Sequence, residues 1–483
     1  MERYLLLPVM LIAVLSGAVF GQDAQSRHEA VTDQSSIEDQ LSIEGLIAQS
    51  RLAAPELGVD VLLRISKSNK IKDIERKKAL LEEAYRVVSN VKNRVRRKIV
   101  PFASISVDTH PGYMSYAYDL KLDAVSLKSR IIREMLVLDK DRARQMIFDL
   151  NGTLGLKPLN CEDALVYEVT DIYRTVAAVG KQAFTRSEIE EGLRALFISN
   201  WIEKIESPSQ VGPVLSMIAE FPDFAFERSM LYTSVSNAIR RDFKDDRSFT
   251  YALDREQLNS MIVRLTSGVE ELPKIELLSA YRQFISKNIA AARCRDNEIR
   301  DEENIPRFIQ EANKLFIDKP FTFEDIASND LLESPKISHY WQSEKARRIS
   351  RELRDIRVAQ KDLGKDDSIM TEEDWGARVR KLLENLNGWN AENEETDSEV
   401  FNQKCVIYRV LVGMIPDGNL KRNVLQDFVR FLHSSKMQRE NFIEWFLHVN
   451  RVANDDPTSF FDLISAFPNP NFSAVAALKI EKL

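Results

Sequence analysis

Apolar residues recur at steps of three and four along most of the chain. Leu81, Ala84, Tyr85, Val88, Val91 and Val95 fall on one helical face, as do Leu120, Ala124, Leu127, Ile131, Met135 and Leu138. Towards the carboxyl end Val424, Leu425, Phe428, Phe431 and Leu432 repeat the pattern, and Phe442, Trp445, Phe446 and Val449 repeat it again. This spacing puts the apolar positions on one stripe of an α-helix, which has to be buried against another element. Capping chemistry marks the starts. Thr185 precedes Glu188, Thr371 precedes Asp374 and Thr396 precedes Glu399, so a side-chain oxygen can accept from an otherwise unpaired backbone amide. Ser207-Pro208 and Ser334-Pro335 each offer a cap followed by proline at the first helical position. The pattern predicts roughly sixteen to eighteen helices. Only Ile99 to Val107 reads as extended.

Short polar turns separate the predicted helices, which favours antiparallel neighbours. The expected fold class is therefore all-α: stacked antiparallel helical hairpins in an α-solenoid-like or irregular helical array, with almost no strand. No repeat of about 34 or about 40 residues is present, so periodicity leaves the solenoid and the irregular all-α globule open. The charged runs Arg295–Asn304 and Asn390–Ser398 are candidate interruptions. A division near residue 300 gives an amino-terminal helical lobe over 37–300 and a carboxyl-terminal helical lobe over 301–483. One continuous array accounts for the same runs as loops.

The amino terminus breaks the helical pattern. Tyr4 to Phe20 is an apolar run of about 17 residues, preceded by Arg3, with small residues Ser16, Gly17 and Ala18 towards its end. This is the architecture of a signal peptide over 1–21, cleaved after Gly21, with a polar, disordered mature segment over 22–36. The alternative is an uncleaved membrane anchor, for which the run is short and interrupted by Pro8. The expected location is outside the cytoplasm, periplasmic or secreted.

Composition narrows the class. Hydrophobic residues make up 44% of the 483, enough for a sizeable core, while 16 Gly and 16 Pro disfavour turn-rich β architectures. Net charge is -7, which argues against a nucleic-acid partner. No second long apolar stretch offers membrane attachment after cleavage. The basic cluster Lys92, Arg94, Arg96, Arg97 and Lys98 suits the carboxyl end of a helix dipole, or docks an anionic surface. Three cysteines, Cys161, Cys294 and Cys405, are expected to be free thiols, because a chain this long needs no staple.

Chemistry-bearing motifs are sparse. The sequence has neither a Gly-rich phosphate loop nor a nucleophile elbow, and His28-Glu29 lacks the second histidine of a helical zinc site. No cofactor and no metal is expected. His433 and His448 are too far apart in sequence for a local motif, though folding can join them. One group stands above the background: Asp108, His110, Tyr113 and Tyr116, with Glu162 and Asp163 after a second loop. Histidine beside carboxylates can act as acid and base, and tyrosines line sugar or peptide grooves. The plainer account is that the aspartates cap helices and the tyrosines pack. The functional expectation is an exported, non-enzymatic helical scaffold whose partner is another envelope or extracellular protein. The alternative is an all-α extracytoplasmic enzyme acting on polysaccharide or cell-wall material.

Overall fold

The computed structural model describes residues 43–91, 120–150, 154–156, 158, 169–221, 225–241, 243, 255–267, 271–290, 293–294, 298–322, 331–332, 344–362, 371–391, 397–464 and 467–479. These residues form 21 α-helices, short pieces included, and a single pair of two-residue strands, Arg293–Cys294 and Leu331–Leu332, bridged in parallel. The fold is all-α. None of the described helices is long and apolar enough to cross a membrane. The weakly extended segment over 99–107 and the basic cluster over 92–98 lie outside the described residues.

The chain enters through α1 (Ile43–Leu52), α2 (Pro55–Lys67) and α3 (Ile74–Val87). Helix α2 is buried nearly all round, with Leu57, Val59, Leu62 and Ile65 shielded by its neighbours. Close packing with α1 depends on Gly58. A Cβ at that position would lie 2.5 Å from the Ser50 carbonyl oxygen. The Asp73 side chain caps α3 by accepting from the Glu75 amide. Leu81 and Ala84 of α3 enter the core as the periodicity predicts, and Tyr85 donates its hydroxyl to the Met146 carbonyl.

Two rows of helices follow. One contains α4 (Ala124–Leu138), α6 (Thr170–Gln182), α9 (Val211–Ile218), α11 (Arg255–Thr266) and α13 (Glu298–Asn313), each packed on the next. The other contains α5 (Lys140–Asp149), α8 (Leu193–Glu203), α10 (Ala225–Ile239) and α12 (Glu271–Ala290). Phe148 of α5 meets Phe197 of α8 edge-on, and α8, α10 and α12 stack in succession. A single-turn helix, α7 (Arg186–Glu190), fills the α6–α8 turn. Its capping box joins Thr185 and Glu188 as the spacing predicts. Ser207 likewise caps the short turn beginning at Pro208 that leads into α9.

A buried ion pair fixes the register of the second row. Arg194 of α8 donates through Nε and Nη2 to both oxygens of Glu227 on α10, at 2.8 and 2.5 Å. Ser234 donates to Ser199 further towards the carboxyl ends of both helices, so α8 and α10 run parallel. Arg194 also lies over the Phe221 ring.

The carboxyl-terminal part repeats the scheme. Helices α14 (Glu344–Asp362) and α15 (Glu372–Asn387) form a hairpin, with Thr371 capping α15 as expected. Helices α16 (Asp397–Met414) and α17 (Asn419–Ser434) form the next. The one-turn α18 (Met437–Glu440) leads into α19 (Phe442–Asp455) and α20 (Pro457–Ile464), which stack on α16 and α17 respectively. The last helix, α21 (Pro470–Lys479), reaches back to α1 and α2. The Ala54 amide donates to Asn471 Oδ1 at 2.8 Å, and Arg64 donates to the Leu478 carbonyl at 3.1 Å. Buried Asp60 of α2 holds Arg64 on one side and Arg130 of α4 on the other.

Glu227→Ala removes the carboxylate from a buried guanidinium and is expected to destabilise the fold by about 3–5 kcal/mol. Replacing both partners by Arg194→Met and Glu227→Leu is expected to cost much less, since no charge is then left in the interior. Urea unfolding of the three chains measures the difference.

Candidate functional site

A polar cluster lies between α16 and α19, and it follows from helical spacing. Ser398 and Asn402 are four residues apart on α16. Glu444 and His448 are four apart on α19. Each pair therefore shares a face, and the two faces meet. His448 Nε2 donates to Asn402 Oδ1 at 2.7 Å. The Asn402 amide nitrogen donates to Glu444 Oε2 at 3.0 Å, and the Ser398 hydroxyl donates to the same oxygen. Asn441, immediately before α19, reaches Ser398 Oγ at 3.5 Å.

This chain of bonds sets the histidine tautomer. With Nε2 carrying the proton, Nδ1 is a bare lone pair, buried and without a hydrogen-bond partner. Protonation would aim a new N–H at no acceptor. His448 is only 2% exposed and packs edge-on against Phe401. Burial, reinforced by the charges of Arg451 and Arg409, lowers its pKa to about 3. The ring is neutral at physiological pH.

Two further groups flank the network on α16. The Lys404 ammonium sits 5.3 Å from the Phe431 ring centroid, and burial together with nearby Lys345 lowers its pKa to about 8. Cys405 is a free, fully buried thiol whose pKa burial pushes well up, so it behaves as a small core residue, as its apolar sequence context predicts.

The chemistry this arrangement supports is limited. The Ser398 hydroxyl is directed to Glu444, and Asn402 stands between that carboxylate and His448. A nucleophile–base pair needs the hydroxyl and the imidazole in direct hydrogen-bond reach. Here each donor is spent on locking α16 to α19. His433 joins a different group. Its ring lies beside Phe467 and Phe472, with Asn469 at 3.4 Å from Nδ1. The two histidines thus have separate partners. Among the described residues no three His, Cys, Asp or Glu side chains are grouped to hold a metal ion.

The sequence-based candidates Asp108, His110, Tyr113, Tyr116, Glu162 and Asp163 lie outside the described residues, as do Cys161 and His28. The α16–α19 network is absent from the sequence reading. Its members are separated by more than forty residues, and each i, i+4 polar pair resembles an ordinary solvated helix face. The signal available in the sequence was the His448–Glu444 spacing beside Trp445 and Phe446, which places polar groups within a strongly apolar helix.

The chain matches no protein-family model, no curated protein and no solved structure.

Because the native state holds His448 unprotonated down to about pH 3, the unfolded chain binds one proton more below its ordinary value near 6.5. The resulting stability is complete above pH 6.5 and declines as pH falls through the window to 3, by about 1.4 kcal/mol per pH unit. Asp123, the buried cap of α4, is pushed up to about 6 by burial and acts in the opposite direction. The comparison is therefore wild type against His448→Gln. Denaturant unfolding from pH 7 to 4 is expected to show wild type losing stability relative to the variant by that slope.

Proposed function

We propose that the protein is an exported, non-enzymatic helical scaffold that binds another envelope or extracellular protein. The observation that carries the reading is the amino-terminal edge of the second row. Leu196 of α8, Phe226 of α10 and Leu272 of α12 are 57%, 73% and 81% exposed on three consecutive helices. Leu193 and Ile275 on the same first turns are also exposed. Phe226 approaches the start of α8, where a Cβ on Gly192 would stand 3.8 Å from its ring. Single exposed apolar side chains are ordinary, but a succession along neighbouring elements marks an interaction surface.

The way the helices are built supports the same reading. Helices α8, α10 and α12 carry apolar residues on two sides, one set entering the core and the other facing outward. A surface helix that served only the core would keep one apolar stripe. Stacked hairpins also present an extended surface, on which binding energy is spread over several elements.

The test is capture of partners by cross-linking from the native exported fraction. Wild type is compared with a triple variant, Leu196→Ser, Phe226→Ser and Leu272→Ser. The substitutions are expected to leave the melting temperature nearly unchanged, because the side chains are exposed. They are expected to abolish capture of a protein that wild type retains. Retention by both chains contradicts the role of this edge. Turnover of polysaccharide or cell-wall material by wild type, lost on His110→Ala with Asp108→Asn, would replace the scaffold with the enzyme.

A further inference from the structure

Helix α14 differs from the rest of the molecule in charge. It contains seven Lys and Arg (345, 347, 348, 351, 354, 357, 361) and four Asp and Glu (344, 352, 355, 362), a balance of +3. The whole chain stands at -7, so the remainder carries -7 - (+3) = -10. One side of α14 is apolar and buried. Ala346, Ile349, Ile356 and Ala359 are buried, and Trp375 of α15 donates its indole N–H to the Ile356 carbonyl at 3.1 Å. Glu352 accepts from Arg348 of the same helix and from Asn385 of α15. The opposite side exposes Arg347, Arg351, Arg354, Arg357 and Lys361, with Glu344 and Asp355 exposed among them. At a rise of about 1.5 Å per residue the basic residues cover roughly 21 Å of helix.

A shallow open groove follows one flank of this strip. Its lining includes Leu353 at the inner side, Val358 at the outer, and Arg354, Arg357 and Lys361 along its length. Arg354, Arg357 and Lys361 form no ion pair with a described residue. Like charges one turn apart repel, by a few tenths of a kcal/mol per pair on an isolated helix. Asp355 is the one exposed acid between Arg354 and Lys361, so this stretch keeps an excess of positive charge. Their spacing of three and four residues matches carboxylates one turn apart on a helix, or two residues apart on an extended segment. Guanidinium groups bind carboxylates bidentately, which adds direction to the attraction.

We infer that the outer face of α14 is a docking strip for an acidic segment of a partner protein. Carboxylates of that segment pair with Arg354, Arg357 and Lys361, and one of its apolar side chains rests on Leu353 and Val358. The inference rests on the scaffold reading above and names the chemistry of the partner. A protein segment fits better than an extended polyanion for two reasons. The strip is short, and beyond it a nucleic acid or an anionic bilayer meets the net-negative remainder within a few Debye lengths of about 8 Å. The groove also has an apolar component, which a phosphodiester backbone cannot satisfy.

The test uses fluorescence anisotropy on the protein purified from the exported fraction. The probe is a fluorescein-labelled twelve-residue peptide alternating Glu with Leu and Ser. Its Glu→Gln counterpart, a single-stranded oligonucleotide of equal charge and phosphatidylglycerol vesicles are the competitors. The acidic peptide is expected to bind, to weaken as salt rises, and to lose at least tenfold in affinity in Arg354→Glu with Arg357→Glu. That reversed chain is expected to prefer a Lys-for-Glu peptide. Arg354→Gln with Arg357→Gln gives an intermediate loss and serves as the measured chain should the reversal perturb the melting temperature. Absence of peptide binding, equal binding of the Gln peptide, insensitivity to both variants, or stronger binding of oligonucleotide or vesicle overturns the inference. The scaffold reading is judged separately, by partner capture at the α8–α10–α12 edge. A chain that captures its partner there but ignores acidic peptide fails only the present inference.

Discussion

Among the described residues, helices α2 and α10 each bury their apolar surface against more than one neighbour. Helix α2 needs cover from α1, α3, α4 and α21, and α10 needs α8 on one side and α12 on the other. These helices thus leave apolar flanks that their neighbours close, and stability is shared between neighbours rather than held in any one unit. Such a stack has two ends that must be dealt with. Here the last described helix lies on the first two described helices, with Asn471 accepting from the Ala54 amide and Arg64 bonded to the Leu478 carbonyl. Apolar burial drives this contact, and the polar bonds fix its register.

Buried polar groups do the same work within the array. A helix-on-helix contact between leucines and isoleucines tolerates sliding by a turn. Arg194 against Glu227 permits only one alignment of α8 with α10. Asn402, between His448 and Glu444, permits only one alignment of α16 with α19. Asp60 joins α2 to α4 through Arg130 and, through Arg64, to the side of the helix that α21 covers. Each of these groups would be costly if left alone, so each penalises the wrong register more than it rewards the right one. The same logic accounts for the limited chemistry of the α16–α19 network, where every donor is committed to holding the helices together.

Features that depend on neighbouring residues were legible in the sequence. Thr185 with Glu188, Thr371 with Asp374 and Ser207 before Pro208 cap where local geometry requires them. The apolar faces of α17 and α19 point inward as their three- and four-residue steps demand. Helices α8, α10 and α12 are harder to read, because outward-facing Leu196, Phe226 and Leu272 blur the single stripe that periodicity detects. The polar locks are invisible for a different reason. Arg194 and Glu227 are thirty-three positions apart, and Ala54 and Asn471 are 417 apart, so no local window contains both partners. The loop candidates around His110 and Glu162 were singled out by composition alone, and they lie outside the described residues.

Closure of the stack by α21 is the claim on which this account stands. Hydrogen exchange on the full chain and on a chain ending at Asn469 measures it directly. If α21 covers the first hairpin, amides of Pro55–Lys67 should exchange at least tenfold faster in the shortened chain, while those of α10 and α12 change little. Unchanged protection of Pro55–Lys67 would show that the beginning of the chain stands without the end, and would contradict the account.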